Sequence, residues 1–458
     1  MPKLLIIGSG PGGYEAAIRA RQNELEVVLF EQGEVGGTCL NRGCIPTKAL
    51  LHAAELYTSD TKASDWGIEF SSKKVDLHKV YQKKDEIVQT LRQGVEMLLK
   101  NNGVELIRKR AQVLSPKEVT AGNTTYQGDA ILLAVGSVPS VPPITGLKLS
   151  ERIVTSDGIL QRPPLGKKVA VLGGGVIGVE MATFLSAFGF EVDIIEAMPR
   201  LLPEMDDEIG HSLQMNFRRD GVKTHTGAKV TAVEEKDNQV FISLEKGEII
   251  CDTLLVATGR KANADNLFAD GCPKPANVRG RFTVDEHGQT DVEGLYAIGD
   301  IITGAQLAHA ASTQGKMVAD YLAGRDGETD NALVPGCIYT SPEIATVGMT
   351  LDEAKDKGFD ALMAKYLMAG NGRTLIAGTG RGFVKVVAEK ESGRILGAQL
   401  MCDRASDMID EFTLAIANKL SYQDMLKGMR PHPTFVEGVQ EALEAFESRA
   451  IHIVPRRR

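Results

Sequence analysis

One pattern constrains this chain more than any other, because it occurs twice. Residues 3–7 form a short apolar run that meets Gly8-Ser9-Gly10-Pro11-Gly12-Gly13, then an Ala-rich stretch, then residues 25–31 (LEVVLFE). About 165 residues later, residues 169–172 lead into Gly173-Gly174-Gly175-Val176-Ile177-Gly178, a helical stretch and residues 190–196 (FEVDIIE). Strand, Gly-rich turn, helix and strand make a βαβ unit, which requires a parallel sheet covered by helices. In G-x-G-x-x-G the first glycine (Gly8, Gly173) permits the tight turn. The second (Gly10, Gly175) lets the backbone approach a pyrophosphate, and the third (Gly13, Gly178) lets helix pack on strand. The helix that follows offers free N–H groups and a positive dipole end to phosphate. A bare motif is weak evidence in a chain with 48 glycines. Here each copy also has a carboxylate, Glu31 or Glu196, 23 positions after its first glycine. Glycine turns that merely join strands to helices do not explain two matched carboxylates, each placed to take ribose hydroxyls. Two dinucleotide sites are expected. At the second, Glu196 would bond a 2′-hydroxyl and repel a 2′-phosphate, which favours NAD over NADP.

With 458 residues the chain has room for two to four domains of ~150 residues. Its 52 Lys+Arg against 60 Asp+Glu give a net charge of −8, the wrong balance for a nucleic-acid binder. The one basic run, Arg456-Arg457-Arg458, reads as a solvated tail. No apolar run reaches the roughly 18 residues of a membrane span. The beginning MPKLLIIGSG lacks the longer apolar stretch of a signal peptide, so a mature start and a cytoplasmic setting are expected. Six cysteines are too sparse for a disulfide scaffold, and neither C-x-x-C nor H-E-x-x-H occurs, so no metal site is expected.

Cys39 and Cys44 stand apart from the other four cysteines. Within a regular helix their spacing would separate the Cα atoms by ~7.5 Å along the axis and put them on different faces. A turn at Asn41-Arg42-Gly43 would bring them together, and Pro46 suits the first turn of a helix through residues 49–57. Cys44 would then sit near a helix N-terminus, where the dipole favours thiolate. Beside two dinucleotide sites, such a pair suggests a redox-active disulfide, with two inert thiols as the competing reading.

Elsewhere, Val138-Pro139-Ser140-Val141-Pro142-Pro143 reads as a linker out of the first unit. Strand-like residues 240–244 and 254–257 close a second domain, which the chain leaves near Asp265. Tyr296-Ala297-Ile298-Gly299-Asp300 reads as a buried strand ending in a carboxylate. From about Pro335 alternating stretches at 383–388 and 395–400 suggest an antiparallel sheet, flanked by helices to residue 450.

The run from Gly36 to Lys48, GGTCLNRGCIPTK, closely resembles the active-site signature of the flavin-dependent pyridine-nucleotide disulfide oxidoreductases, in the wording of their dihydrolipoamide-oxidising members. The resemblance covers essentially the whole chain. It implies an α/β fold with two Rossmann-like domains for FAD and NAD and a C-terminal α+β dimerisation domain. The boundaries expected are 1–140 and 265–334 for FAD, 141–264 for NAD and 335–458 for the dimerisation domain. Residues 296–300 look like the family's second FAD motif, with Asp300 on the ribityl or phosphate side of the flavin. Ala257-Thr258-Gly259-Arg260 is similar to the return from the NAD domain, with Gly259 at that site.

His432-Pro433-Thr434 followed by Glu437 matches the family's catalytic base and its orienting carboxylate. Lys48 is implied near flavin N5, with Glu180 as its partner. The resemblance also implies a homodimer acting on lipoyl groups of a 2-oxo acid dehydrogenase complex or a glycine cleavage system, with Cys39 and Cys44 as the redox disulfide. Glutathione-type reductases typically read C-V-N-V-G-C-V-P-K-K, against Leu40, Ile45 and Thr47 here, and mercuric reductases add a vicinal Cys pair near the C-terminus. Another FAD-dependent disulfide or small-molecule reductase on this scaffold is the alternative. Intact Cys39, Cys44, His432 and Glu437 argue against a non-catalytic binding module. Departures from the pattern are Glu15, where an apolar residue is commoner, and Val135, in place of a usual Thr. No lipoyl domain is expected before Met1.

Overall fold

The computed structural model describes residues 1–69, 74–325, 332–379 and 381–454. The basic run at 456–458 lies outside them.

Both repeated units fold as the glycine pattern requires. Lys3–Ile7, Pro11–Gln22 and Glu26–Phe30 make the first strand, helix and strand; Lys168–Leu172, Val176–Ala187 and Glu191–Glu196 make the second. Each leads strand lies at the centre of a parallel five-stranded sheet. In the first sheet the order is 295–297, 130–133, 3–7, 26–30, 105–107; in the second it is 153–155, 253–256, 168–172, 191–196, 223–226. The duplication is therefore one of sheet topology as well as of motif. Strands buried on both faces read as continuous apolar runs, and Leu4, Leu5, Ile6, Ala170, Val171, Ile194 and Ile195 are wholly buried. Helix Pro11–Gln22 covers the first sheet through Ala16, Ala17 and Ala20 and packs closely on helix Ala308–Leu322.

Residues 138–143 do not form a plain linker. Ser137–Pro139 pairs antiparallel with Arg260–Ala262, so the two chain crossings between the sheets lie side by side. The expected strand at 240–244 belongs to a separate antiparallel sheet of 230–236, 239–244 and 248–251, whereas Thr253–Val256 joins the parallel one. Beyond Leu295–Ala297, Asp300 lies in a single turn of 3-10 helix, Gly299–Ile301, rather than at a strand end.

A third five-stranded sheet, antiparallel, has the order 336–338, 344–348, 395–401, 383–389, 361–367. Alternation was expected in 383–388 and 395–400, yet both strands are buried on both faces. Helices Ala405–Ala417 and Glu437–Glu444 cover one side. On the other, Ile344, Phe383 and Met401 join the core cluster of the second parallel sheet. A central strand with both faces dry has no reason to alternate.

Candidate active site

Cys39 and Cys44 are brought together by a narrower device than the three-residue turn expected. Asn41 and Arg42 complete a short helix, Gly37–Arg42; only Gly43 breaks it, at φ −144° and ψ −111°, and a 21-residue helix begins at Cys44 itself. The two thiols are free and hydrogen-bonded to each other. Their acidities diverge. The hydrogen bond from Cys39 draws the Cys44 thiol down to about 7, against the opposing effect of burial, with help from the Lys48 ammonium and a backbone N–H of the helix start. Cys39, as the donor in a half-buried pair, is pushed far up. Both shifts favour the thiolate at Cys44 and keep the proton on Cys39.

Lys48, one helical turn beyond Cys44, points its Nζ at both carboxylate oxygens of Glu180, at 2.9 and 2.8 Å. Glu180 is buried, also accepts the Tyr339 N–H at 3.0 Å, and comes from the helix that follows the second glycine turn. The ammonium lies 4.4 Å from the centre of the Tyr339 ring. Thus the pair expected from the signature exists, and it ties the cysteine helix to the second βαβ unit. Tyr339 was not foreseen, since it lies 159 positions from Glu180 and no local pattern marks it.

The two glycine turns are built alike. Glu31 accepts the Ser9 N–H and hydroxyl at 2.9 and 2.7 Å and the Gly33 N–H at 2.7 Å. Glu196 accepts the N–H of Gly174 at 2.6 Å and of Met198 at 2.7 Å. Each carboxylate is thus oriented by its own turn; both Glu196 oxygens and Glu31 Oε1 keep a lone pair free, whereas Glu31 Oε2 already accepts two bonds. A Cβ on Gly13 or Gly178 would lie 1.9 or 2.0 Å from the carbonyl oxygen of Gly8 or Gly173, so these glycines let helix meet strand. At Gly10 a Cβ would meet nothing nearer than 4.0 Å, and at Gly175 nothing at all. The open space lies at the N-terminus of a 12-residue helix that no side chain caps, in both copies. Unbonded N–H groups, open space and an oriented carboxylate fit a dinucleotide's phosphates and ribose.

One cavity of about 1340 Å³ runs from Gly10 and Glu31 past Cys44 and Lys48 to Gly175 and Glu196. Asp300 also lines it and accepts a short hydrogen bond from the Ser137 hydroxyl, which itself accepts from Arg260 Nε at 2.7 Å. Gly259 lines the same wall. The Ser137–Arg260 contact joins the paired crossing strands, which sequence spacing cannot reveal.

His432 and Glu437 form a pair, Nδ1 to Oε1 at 2.7 Å, and the other Glu437 oxygen accepts the Thr434 N–H at 2.7 Å. Burial pushes the Glu437 carboxyl up, but these hydrogen bonds hold it below its usual range. The pair does not line the cavity, and the imidazole is 79% exposed. One chain therefore does not bring it to the cysteines.

Residues 2–315 match the family model for pyridine nucleotide-disulphide oxidoreductases, and residues 334–443 match that family's dimerisation domain. The chain belongs to the pyridine nucleotide-disulphide oxidoreductases. Members of the family use FAD and a pyridine nucleotide, in agreement with the two cradles and the dithiol between them. The chain is 38% identical to dihydrolipoyl dehydrogenase of Bacillus subtilis, over 98% of this chain and 97% of that one. It is 37% identical to dihydrolipoyl dehydrogenase of Thermus scotoductus, over 99% of each, and 36% identical to leghemoglobin reductase of Glycine max, over 96% and 87%. Among solved structures, the HOCl-induced flavoprotein disulfide reductase RclA of Escherichia coli superposes with a TM-score of 0.86 at 28% identity, covering 96% of this chain and 99% of that one. Among the described residues no helix is long and apolar enough to cross a membrane.

Proposed function

We propose that this oxidoreductase is an NAD-dependent dihydrolipoyl dehydrogenase, acting as a homodimer on lipoyl groups carried by protein domains in the cytoplasm. The observation that carries the reading is the unequal placement of Cys39 and Cys44: Cys44 starts a 21-residue helix one turn before Lys48, and Cys39 lies outside that helix across Gly43. A dithiol–disulfide centre that accepts electrons from a small dithiol needs one sulfur to exchange with substrate and another to stay charged on the inner side.

In the oxidised state Cys39 and Cys44 form the disulfide. His432 of one protomer, its Nδ1–H held by Glu437, removes a proton from a dihydrolipoyl thiol through Nε2. The thiolate attacks Cys39 Sγ, a mixed disulfide forms, and Cys44 leaves as a thiolate, the better leaving group because its conjugate acid is the stronger. The second lipoyl sulfur then attacks the first, closing the lipoyl ring. Cys39 departs and takes back the proton held at His432. The products are lipoyl, Cys39 thiol and Cys44 thiolate: two electrons and one proton have entered the pair, and the second proton passes to solvent. Lys48 and the helix start hold the new negative charge at Cys44. When bound, FAD supplies a two-electron acceptor between this dithiol and the nicotinamide of NAD⁺. Gly8, Gly10, Gly13, Glu31 and Asp300 would hold the flavin dinucleotide, and Gly173, Gly175, Gly178, Glu196 and Gly259 the NAD. The Glu196 carboxylate repels a 2′-phosphate, which supports NAD over NADP.

The test is a comparison of substrates on the purified holoenzyme: dihydrolipoamide with NAD⁺ should turn over, and glutathione disulfide with NADPH should not. Turnover with the second pair alone would move the chain to another reductase activity of the family.

A further inference from the structure

Residues 197–206 join the end of strand Glu191–Glu196 to helix Asp207–Arg219, and they form the rim of the second nucleotide cradle. Leu202, Pro203, Glu204 and Met205 line the cavity, and the Leu202 N–H donates to the Gly174 carbonyl at 3.0 Å. Arg200 bonds the Pro203 and Met205 carbonyls at 2.8 and 3.0 Å and shapes the segment from within. Its far end is fixed from a distant part of the chain. Asp206, which caps helix Asp207–Arg219, receives Lys385 Nζ at 2.8 Å. Glu208, in the first turn, receives Lys385 at 2.9 Å and Lys365 at 2.6 Å.

The two lysines lie on the dimerisation-domain sheet, directly opposite one another on paired antiparallel strands. Like charges in that position repel, and Lys385 is only 8% exposed among Phe383, Val384, Val386, Val387 and Ala388, all buried and apolar. Such an arrangement is tenable only with anions beside it. Glu208 bridges both ammonium groups, and Asp206 supplies the second negative charge. The desolvated lysine therefore needs the carboxylates as much as they need it, which makes the contact an obligate link between the C-terminal sheet and the cradle rim.

We propose that Lys385, supported by Lys365, is a positioning residue for the pyridine-nucleotide site. It acts through Asp206 and Glu208 to hold residues 201–205 against the glycine turn. The inference rests on the NAD reading of that cradle. The same sheet carries helix Glu437–Glu444, so the element that presents the His432–Glu437 pair also sets the rim of the nucleotide site.

The experiment compares FAD-loaded Lys385→Met and Lys385→Arg with wild type. Coupling through a packed network of this kind is worth ~0.5–2 kcal/mol, so Lys385→Met should raise the KM for NAD⁺ by about two- to thirty-fold. FAD content, kcat and the KM for dihydrolipoamide should stay within about two-fold, and Lys385→Arg, which keeps the charge, should show a smaller shift. An unchanged KM for NAD⁺, or equal losses in every parameter, overturns the proposal. If Lys385→Met yields no folded holoenzyme, Lys365→Met removes the more exposed cation and must shift the same KM in the same direction; no shift overturns it. Gly175→Ala is the control. If that variant keeps its NADH affinity, the nucleotide-site reading itself has failed, whereas weakened binding there with normal binding in Lys385→Met refutes only the positioning role.

Discussion

Two alanine substitutions three residues apart, Gly175→Ala and Gly178→Ala, should damage different properties. The Gly178 Cβ would lie 2.0 Å from the Gly173 carbonyl oxygen, 3.1 Å from its carbon and 3.3 Å from Val171 Cγ1. That is roughly 1.4 Å short of ordinary contact with main-chain atoms, which cannot rotate away, so helix Val176–Ala187 must lift off strand Lys168–Leu172. Overpacking of this kind costs ~1–3 kcal/mol, a fall in Tm of about 1–3 °C for 458 residues unfolding together at ~2.1 cal/mol/K per residue.

The Gly175 Cβ meets nothing within 4 Å, so Gly175→Ala should leave the Tm within about 0.5 °C. It would instead occupy the space in front of the uncapped helix N-terminus and separate phosphate from one or two N–H donors. At ~1–1.5 kcal/mol for each lost hydrogen bond, NADH affinity should fall about 5- to 160-fold. The assays are thermal unfolding of the FAD-loaded protein without pyridine nucleotide, and NADH titration by fluorescence. Equal losses of Tm in the two variants, or unchanged NADH affinity in Gly175→Ala, would refute the division between cradle and packing glycines.

Cys44→Ser should retain FAD yet lose lipoamide turnover and the long-wavelength thiolate–flavin absorption, whereas Cys39→Ser should lose turnover and keep that absorption; the reverse pattern would mean the two roles are exchanged. In the reduced wild type, the same absorption should fall with a midpoint near pH 7 as acid protonates Cys44, and Lys48→Met should move the midpoint up. Because the folded thiol lies below its unfolded pKa of ~8.5, the stability it adds to the reduced protein is complete above that value and lost as pH falls through about 7; the difference between wild type and Cys44→Ser in denaturant titrations at pH 6 and 8, below the range where the raised thiols oppose it, checks the sign. Glu196→Ala with an Arg introduced nearby should shift the NAD⁺/NADP⁺ preference by about 10²-fold toward NADP⁺ without loss of FAD, read as the ratio of kcat/KM values. His432→Gln should cut lipoamide turnover ~10²- to 10⁴-fold. Mixed with Cys44→Ser subunits under chain exchange, it should recover up to half of wild-type activity per heterodimer, and proven heterodimers without activity would place each site within one chain.

The local features were legible because each obeys a short-range rule. Gly8 to Gly13 and Gly173 to Gly178 specify their turns, since only a missing Cβ lets helix and strand meet there. Likewise Glu31, one residue past its strand, and Glu196, at the end of its own, lie at a distance fixed by the length of one βαβ unit. Cys44 could be placed near a helix start from Pro46 alone, although the position of the break, at Gly43 rather than across three residues, needed the backbone itself. The family signature extended the reading to Lys48 with Glu180 and His432 with Glu437, and both pairs are in contact.

What the sequence could not show is where separate units press on each other. Residues 383–388 and 395–400 were expected to alternate, but both faces are covered once the third sheet packs on the second, and burial, not strand period, dictates the residues. The links Ser137–Arg260, Glu180–Tyr339 and Lys385–Asp206 each join positions more than 120 apart in the chain. No periodicity records such a pair, because its energy exists only when two independently formed surfaces come into contact. For the same reason the His432–Glu437 pair carries its own geometry within one short loop, while the packing of one chain leaves that imidazole exposed and outside the cavity that holds the dithiol.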